Sequence, residues 1–327
     1  MNKKYFSTYV SQYMYQPHYR IFDDKNVKIL EESKIISNST IYAIVKTPKV
    51  RFVPSSFKVT NNYCLQGKLV VNGKQHNVIF NMAKYWFNGE SDLSISLRTK
   101  FRTIEEFVEY ALSGFRSIAG VRYSNSEKYN RLTIIKPDSS EEQLNIICPI
   151  ASGMNEGVPV EANLFVYQLI NHYDIDLLSD LEICYIGKSN RSTFDRLKKH
   201  EKWGPILSSR HNEHYDYFAY FFVINEALIY KLNSNSNDLM LRTSSFLPKG
   251  AITSICEATL INYFKPDFNK EFVNTDIRNV KVIKNWLVAK GFNSIMTEVE
   301  LEGLMGRLGT KQKPYLPRHE FESSLVP

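Results

Sequence analysis

The stretch from Glu182 to Trp203, EICYIGKSNRSTFDRLKKHEKW, imposes a change of backbone period on any fold that contains it. A β-prone run ends at Gly187, passes through a short polar turn and becomes a basic pattern of helical period. Strands and helices must therefore meet here, with backbone groups and positive charge converging where anions are commonly held. Ser192 or Thr193 can cap the helix. Arg196 and His200, four apart, are expected on one helical face pointing back towards the strand end. Tyr185, Lys188, Arg196 and His200 thus become candidates for one pocket. Taken singly they carry little, since Y-I-G recurs by chance and a basic helix is usually a solvated face.

The chain's 327 residues suffice for two domains, and a content of 43% hydrophobic and 23% charged residues is that of a globular protein. No apolar run reaches the roughly 20 residues of a membrane span, and MNKKYFSTYV lacks a secretory apolar core, so a cytoplasmic location without a membrane partner is expected. Cys64, Cys148, Cys184 and Cys256 are far apart, which excludes C-x-x-C zinc or redox motifs and leaves buried free thiols as the reading. The net charge of +7 is uneven: residues 1–160 carry 21 Lys+Arg against 14 Asp+Glu, and residues 161–270 carry 12 against 13. A basic region beside a near-neutral one suits a polyanion-binding part joined to a part that does chemistry.

The tyrosines at 5, 9, 13, 15 and 19 are expected to pack against the domain that follows rather than to stack on bases. Strands are expected at Ile41 to Val45, and at Tyr63 to Val71 and Gln75 to Asn81 around the hairpin signal Asn72-Gly73. A further strand is expected at Leu93 to Arg98. Thr103 and Glu106 form a capping box before an apolar helical face. Arg131 to Ile135 and Leu144 to Cys148 read as a second hairpin. The turn-rich segment Ala151 to Pro159 is the expected domain boundary. Beyond it come a strand at Asn163 to Ile170, the strand ending at Gly187, and an aromatic central strand at Tyr215 to Ile224. The polar tract Lys231 to Gly250 reads as a long functional or disordered loop. A helix from Ala251 to Phe264 follows, with Glu257 set in an apolar run where a carboxylate needs a partner or a metal. Helices at Val280 to Lys290 and Thr297 to Leu308 and a tail complete the reading.

Phe165-Val166-Tyr167, Tyr185-Ile186-Gly187-Lys188-Ser189, Arg196, His200, Glu257 and Asn269, in that order, resemble the GIY-YIG nuclease superfamily over about Asn163 to Asn269. The segment E-x2-L-I-N-Y-F-x-P-x-F-N carries most of that resemblance. It implies an α+β fold, a three-stranded antiparallel sheet flanked by helices, preceded by a separate β-rich α+β domain. The divisions are then 1–158 for DNA recognition, 159–272 for the nuclease and 273–327 for a helical extension. It further implies that Tyr167 and Tyr185 lie on adjacent strands, that Arg196 lies on the first helix, that Glu257 binds a divalent metal, and that Asn269 closes the motif. The first triplet departs from the family at Phe165, and Tyr167 and Tyr185 are further apart than is usual there.

The chemistry implied is phosphodiester hydrolysis with Mg²⁺ or Mn²⁺ on double-stranded DNA. Glu257 would hold the hard cation, and Arg196 would meet the non-bridging oxygens. Tyr167, Tyr185 or His200 would take the water's proton with help from Lys188. The layout, without helix-hairpin-helix repeats, suits a restriction or phage-defence enzyme more than a repair nuclease, and a mobile-element (homing) nuclease is a further reading. Double-strand cleavage would call for a homodimer. The competing class is a nucleic-acid-binding protein that keeps the fold without cutting.

Overall fold

In the computed structural model, residues 3–60, 63–89, 92–116, 132–177, 181–189, 192–208, 212–231, 239–241 and 247–326 are described. The fold is mixed α+β, with several sheets. It forms two compact units: Met1–Pro48 together with Leu178–Pro327, and Lys49–Leu177. The second is inserted into the first.

Among the described residues the first unit is built on nine strands: β1 (Lys3–Pro17), β2 (Ile41–Pro48), β3 (Leu181–Lys188), β4 (Tyr215–Lys231), β5 (Leu239–Leu241), β6 (Ser294–Glu300), β7 (Leu308–Thr310), β8 (Lys313–Leu316) and β9 (Arg318–Ser324). Their order across the sheet is β8-β7-β3-β2-β4-β1-β6-β9, and β5 pairs with β4. Most of these pairs are antiparallel, but β1 with β6 and β3 with β7 are parallel. The aromatic run at Tyr215 becomes a central strand as expected, because Phe218, Ala219, Tyr220 and Phe221 are buried between β1 and β2. The tyrosine-rich N-terminus is β1 itself, packed into the sheet by a register that runs from Lys3 opposite Lys231 to Pro17 opposite Phe218. Two helices of this unit are α1 (Thr193–Lys198) and α2 (Lys249–Phe264). Under α1 lies a core of Ile21, Tyr42, Ile44, Cys184, Phe194, Leu197, Trp203 and Phe221.

The inserted unit has a four-stranded sheet, in which Cys64–Val71 pairs with Lys74–Asn81 through the Asn72-Gly73 turn, and a three-stranded sheet of Ile134–Ile135, Gln143–Ile147 and Glu161–Phe165. Both turn residues have positive φ, 49° and 76°, the geometry that Asn-Gly accepts most readily. The capping box forms too: Thr103 Oγ1 accepts the Glu106 N–H at 3.2 Å, and Glu106 reaches back to the Arg102 N–H at 2.8 Å.

Several expectations are corrected. No boundary falls at 158/159, because Ala151 to Met154 belongs to a helix, Pro149–Met154, that buries Ile150 and Ala151 within the inserted unit. A module of residues 1–158 is excluded for a second reason: β1 and β2 are bonded into the sheet of the first unit. The charge map changes with the division, since Lys49–Leu177 carries 14 Lys+Arg against 13 Asp+Glu and the rest of the chain 27 against 21. The basic excess therefore lies with the nine-stranded unit. Leu93 to Arg98 is helical, inside Asp92–Lys100, because Ser94 and Leu97 are buried at helical spacing while Ile95 faces solvent. Thr297 to Leu308 is not a helix; Ile295, Thr297 and Val299 bury alternate positions of β6, and β7 to β9 replace the expected tail. Most of the tract from Lys231 to Gly250 lies outside the described residues.

Burial holds three histidines of the first unit, His18, His200 and His319, below the usual imidazole range. Desolvation is the main cause at each, so the fold favours the neutral ring. The unfolded chain takes up protons first as pH falls, so this stability is complete above about pH 6.5 and is lost as pH drops through the lower folded values. A thermal melt should be steady from about pH 8 to 7 and fall by ~5 °C towards about pH 5.5. A flat or rising midpoint over that interval would contradict the burial of these rings.

Candidate active site

The arrangement begins with two strands. β2 and β3 are antiparallel neighbours, with Tyr42 opposite Gly187 and Ile44 opposite Tyr185, and a bulge between Ile183 and Tyr185 shifts the alternation of β3. At Gly187 a side chain is impossible without rearrangement, since a Cβ would lie 2.6 Å from the Tyr42 ring and 2.8 Å from that of Tyr185. Glycine thus lets the two phenols cross the strand end. Their centroids are 6.2 Å apart, and the charge of Arg196 acts on both. Gly187→Ala should therefore displace Tyr42 and cost about 1–3 kcal/mol of stability. A melting midpoint equal to that of the wild type would contradict this close packing.

The other edge of β3 is secured by the segment after α2. Lys265 ends that helix in the left-handed conformation, Phe268 N–H donates to the Cys184 carbonyl at 3.1 Å, and the Asn269 amide brackets Ile186. Its Nδ2 donates to the Ile186 carbonyl at 2.8 Å and its Oδ1 accepts the Ile186 N–H at 2.9 Å. Asn269 stands in for a strand neighbour, satisfying backbone groups that β7 does not reach. Its role is to position the Tyr185-Ile186-Gly187 strand.

Ser192 caps α1 by accepting the Asp195 N–H at 3.0 Å, and Thr193 ties the helix to the Ser39 carbonyl at 2.6 Å. Arg196 is thereby placed close enough for its charge to act on Tyr42. The helix stops at Lys198, so His200 is not on a shared helical face with Arg196 as expected; it follows in a turn that ends at Trp203. That turn nevertheless brings its ring to 4.7 Å from Tyr185 and 5.8 Å from Tyr42. The Lys202 N–H donates to His200 Nδ1 at 3.1 Å, so the neutral ring carries its proton on Nε2. His200 can offer a proton, and it is not poised to accept one.

Glu257 has the partner its apolar helix demanded. Lys188 Nζ lies 2.9 Å from its Oε2 and donates to Ser254 Oγ at 2.9 Å. Burial raises the Glu257 carboxyl above its usual range, and Lys188 opposes that rise. Burial also raises both phenols; Glu257 adds to the rise at Tyr185, Tyr185 adds to that at Tyr42, and Arg196 opposes it at both. Desolvation, followed by the neighbouring Arg196, lowers His200. Tyr185, Lys188, Arg196, His200 and Glu257 thus act on one another directly or through Tyr42.

Tyr167 does not join them. It lies on the helix Val166–His172 of the inserted unit, where its hydroxyl accepts the Val50 N–H at 3.0 Å. The expected strand Asn163 to Ile170 ends at Phe165, because Val166, Leu169 and Ile170 are buried at helical spacing. The tyrosine beside Tyr185 is Tyr42, which sequence reasoning missed. A signal was present: Thr40-Ile41-Tyr42 departs from the G-I-Y triplet at one position, Phe165-Val166-Tyr167 at two.

Among the described residues no three His, Cys, Asp or Glu side chains are grouped as a metal site. A lone carboxylate held against a cation still fits Mg²⁺, which keeps several waters and takes phosphate oxygens as further ligands. No protein-family profile matches the chain, and neither a curated protein nor a solved structure is significantly similar to it.

Proposed function

We propose that this chain is a Mg²⁺- or Mn²⁺-dependent endonuclease that hydrolyses phosphodiesters of double-stranded DNA, of the restriction or phage-defence kind. The observation that carries the reading is the convergence of two phenols, a guanidinium, an imidazole and an ammonium–carboxylate pair on the end of two adjacent antiparallel strands. Thr40-Ile41-Tyr42 and Tyr185-Ile186-Gly187 then act as the paired triplets of a GIY-YIG-type site, with β4 as the third strand beside β2.

Each residue has a task in that chemistry. Arg196 presents a planar fork to the non-bridging oxygens, where charge grows in the transition state. Burial keeps the Tyr42 and Tyr185 phenols protonated, so they orient the attacking water by hydrogen bonds while its proton passes to bulk solvent, and His200 holds its own proton on the open nitrogen. His200 and Lys188 donate to phosphate oxygens. A divalent ion on Glu257 would polarise the phosphate and stabilise the departing 3′ oxygen. Asn269 and Gly187 keep the tyrosine strand in register.

Plasmid incubated with the protein and Mg²⁺ should be cut, and EDTA should stop it. Glu257→Ala should abolish cutting while DNA binding persists. Undiminished cutting by that variant would remove the metal assignment. Binding without cutting by the wild-type chain would instead favour a nucleic-acid-binding protein.

A further inference from the structure

We propose that Lys188 is a resident counter-cation that competes with the divalent ion for Glu257, and that substrate phosphate relieves this competition. The inference rests on the reading of Glu257 as the metal ligand and adds a regulation to it. Ser254 and Glu257 are three residues apart on α2 and so share a face of the helix. Ser254 Oγ donates to the Gly250 carbonyl at 2.8 Å, leaving its lone pairs for the Lys188 ammonium. Lys188 is therefore held by two acceptors, each at 2.9 Å, at the strand end where Tyr185 and Gly187 also lie.

The pair is only partly solvated, with the Lys188 side chain 31% and that of Glu257 12% exposed. Breaking it without replacement leaves a half-buried charge uncompensated. Among the described residues no group of three His, Cys, Asp or Glu side chains surrounds Glu257, although the Glu271 carboxylate acts on it, so a cation finds few ligands to compensate that exchange. A phosphodiester changes the balance. It offers the ammonium another anion, frees Glu257, and brings oxygens of its own. Metal and nucleic acid affinities then rise together, by the same factor in each direction. The free protein stays poorly loaded until it meets its substrate. Ser254 acts as a positioning residue for the lysine.

The test is a Mn²⁺ titration of the full chain, followed by the electron paramagnetic resonance signal of free Mn²⁺, with and without an uncleavable phosphorothioate duplex. Without duplex, Lys188→Met and Lys188→Gln should each bind Mn²⁺ about 10-fold tighter than wild type, and Ser254→Ala about 3-fold tighter, in line with coupling between contacting charged groups. Glu257→Gln should bind none. Duplex should raise the wild-type affinity about 10-fold and that of Lys188→Met by a clearly smaller factor, from the phosphate oxygens alone. If both Lys188 variants bind no tighter than wild type while Glu257→Gln loses the ion, the counter-cation role is overturned and the metal reading stands. If Glu257→Gln binds like wild type, both fall.

Discussion

Tyr42→Phe is expected to lower single-turnover cleavage by about 10²–10³, while Tyr167→Phe leaves it within about two-fold. The contrast turns on one oxygen in each case. Tyr42 is 1% exposed and its ring packs over Gly187, so phenylalanine keeps the packing and removes only the hydroxyl on which Arg196 and Tyr185 act. The variant should fold. Tyr167 carries its hydroxyl to the Val50 N–H, so its loss strands a buried donor at a cost of about 1–3 kcal/mol in stability, with no effect on the reacting groups. Melting curves and single-turnover rates on the two variants separate these effects. A slow Tyr167→Phe beside an unimpaired Tyr42→Phe would move the site to the inserted unit.

Arg196→Ala should cost roughly 3–4 kcal/mol of transition-state stabilisation, or about 10²–10³ in single-turnover rate, as losing one donor to a developing oxyanion does. Arg196→Lys should recover only part of it, because an ammonium cannot reproduce the two-pronged contact. The arginine sits in the last turn of a short capped helix and its charge acts on Tyr42, so its loss also alters that phenol. Measuring Arg196→Ala in the Tyr42→Phe background distinguishes the two contributions. Independent effects multiply, and shared ones fall short of the product. A loss of ten-fold or less for Arg196→Ala alone would reduce the residue to a structural one.

What could be read from the sequence follows the range of the interaction concerned. The Asn72-Gly73 hairpin, the Thr103 to Glu106 capping box and the Ser192 cap are fixed by neighbours a few residues away, and each forms as expected. Glu257 was legible through its need for a partner, although the sequence did not single out Lys188 as that partner. Tyr42 was hidden because the inserted residues 49–177 separate it from the strand it pairs with, so no local spacing joins the two triplets. Short apolar runs were the other weakness. Leu93, Ile95 and Leu97 alternate like a strand yet form a helix, and Ile295 to Val299 do the reverse, because burial on one face decides the period.

The Lys49–Leu177 insertion also bears on how the chain reaches its folded state. β2 and β3 are bonded neighbours, so their pairing must close a loop that contains a whole compact unit. Closing so long a stretch of disordered chain is slow and entropically costly. A stretch that has already folded is different, because its own ends can be held together. The hydroxyl of Tyr167, near the end of the insertion, accepts the N–H of Val50 at its beginning. That bond fastens the neck of the loop from within, which favours an order of assembly in which the interruption forms first and delivers the two tyrosine strands to each other.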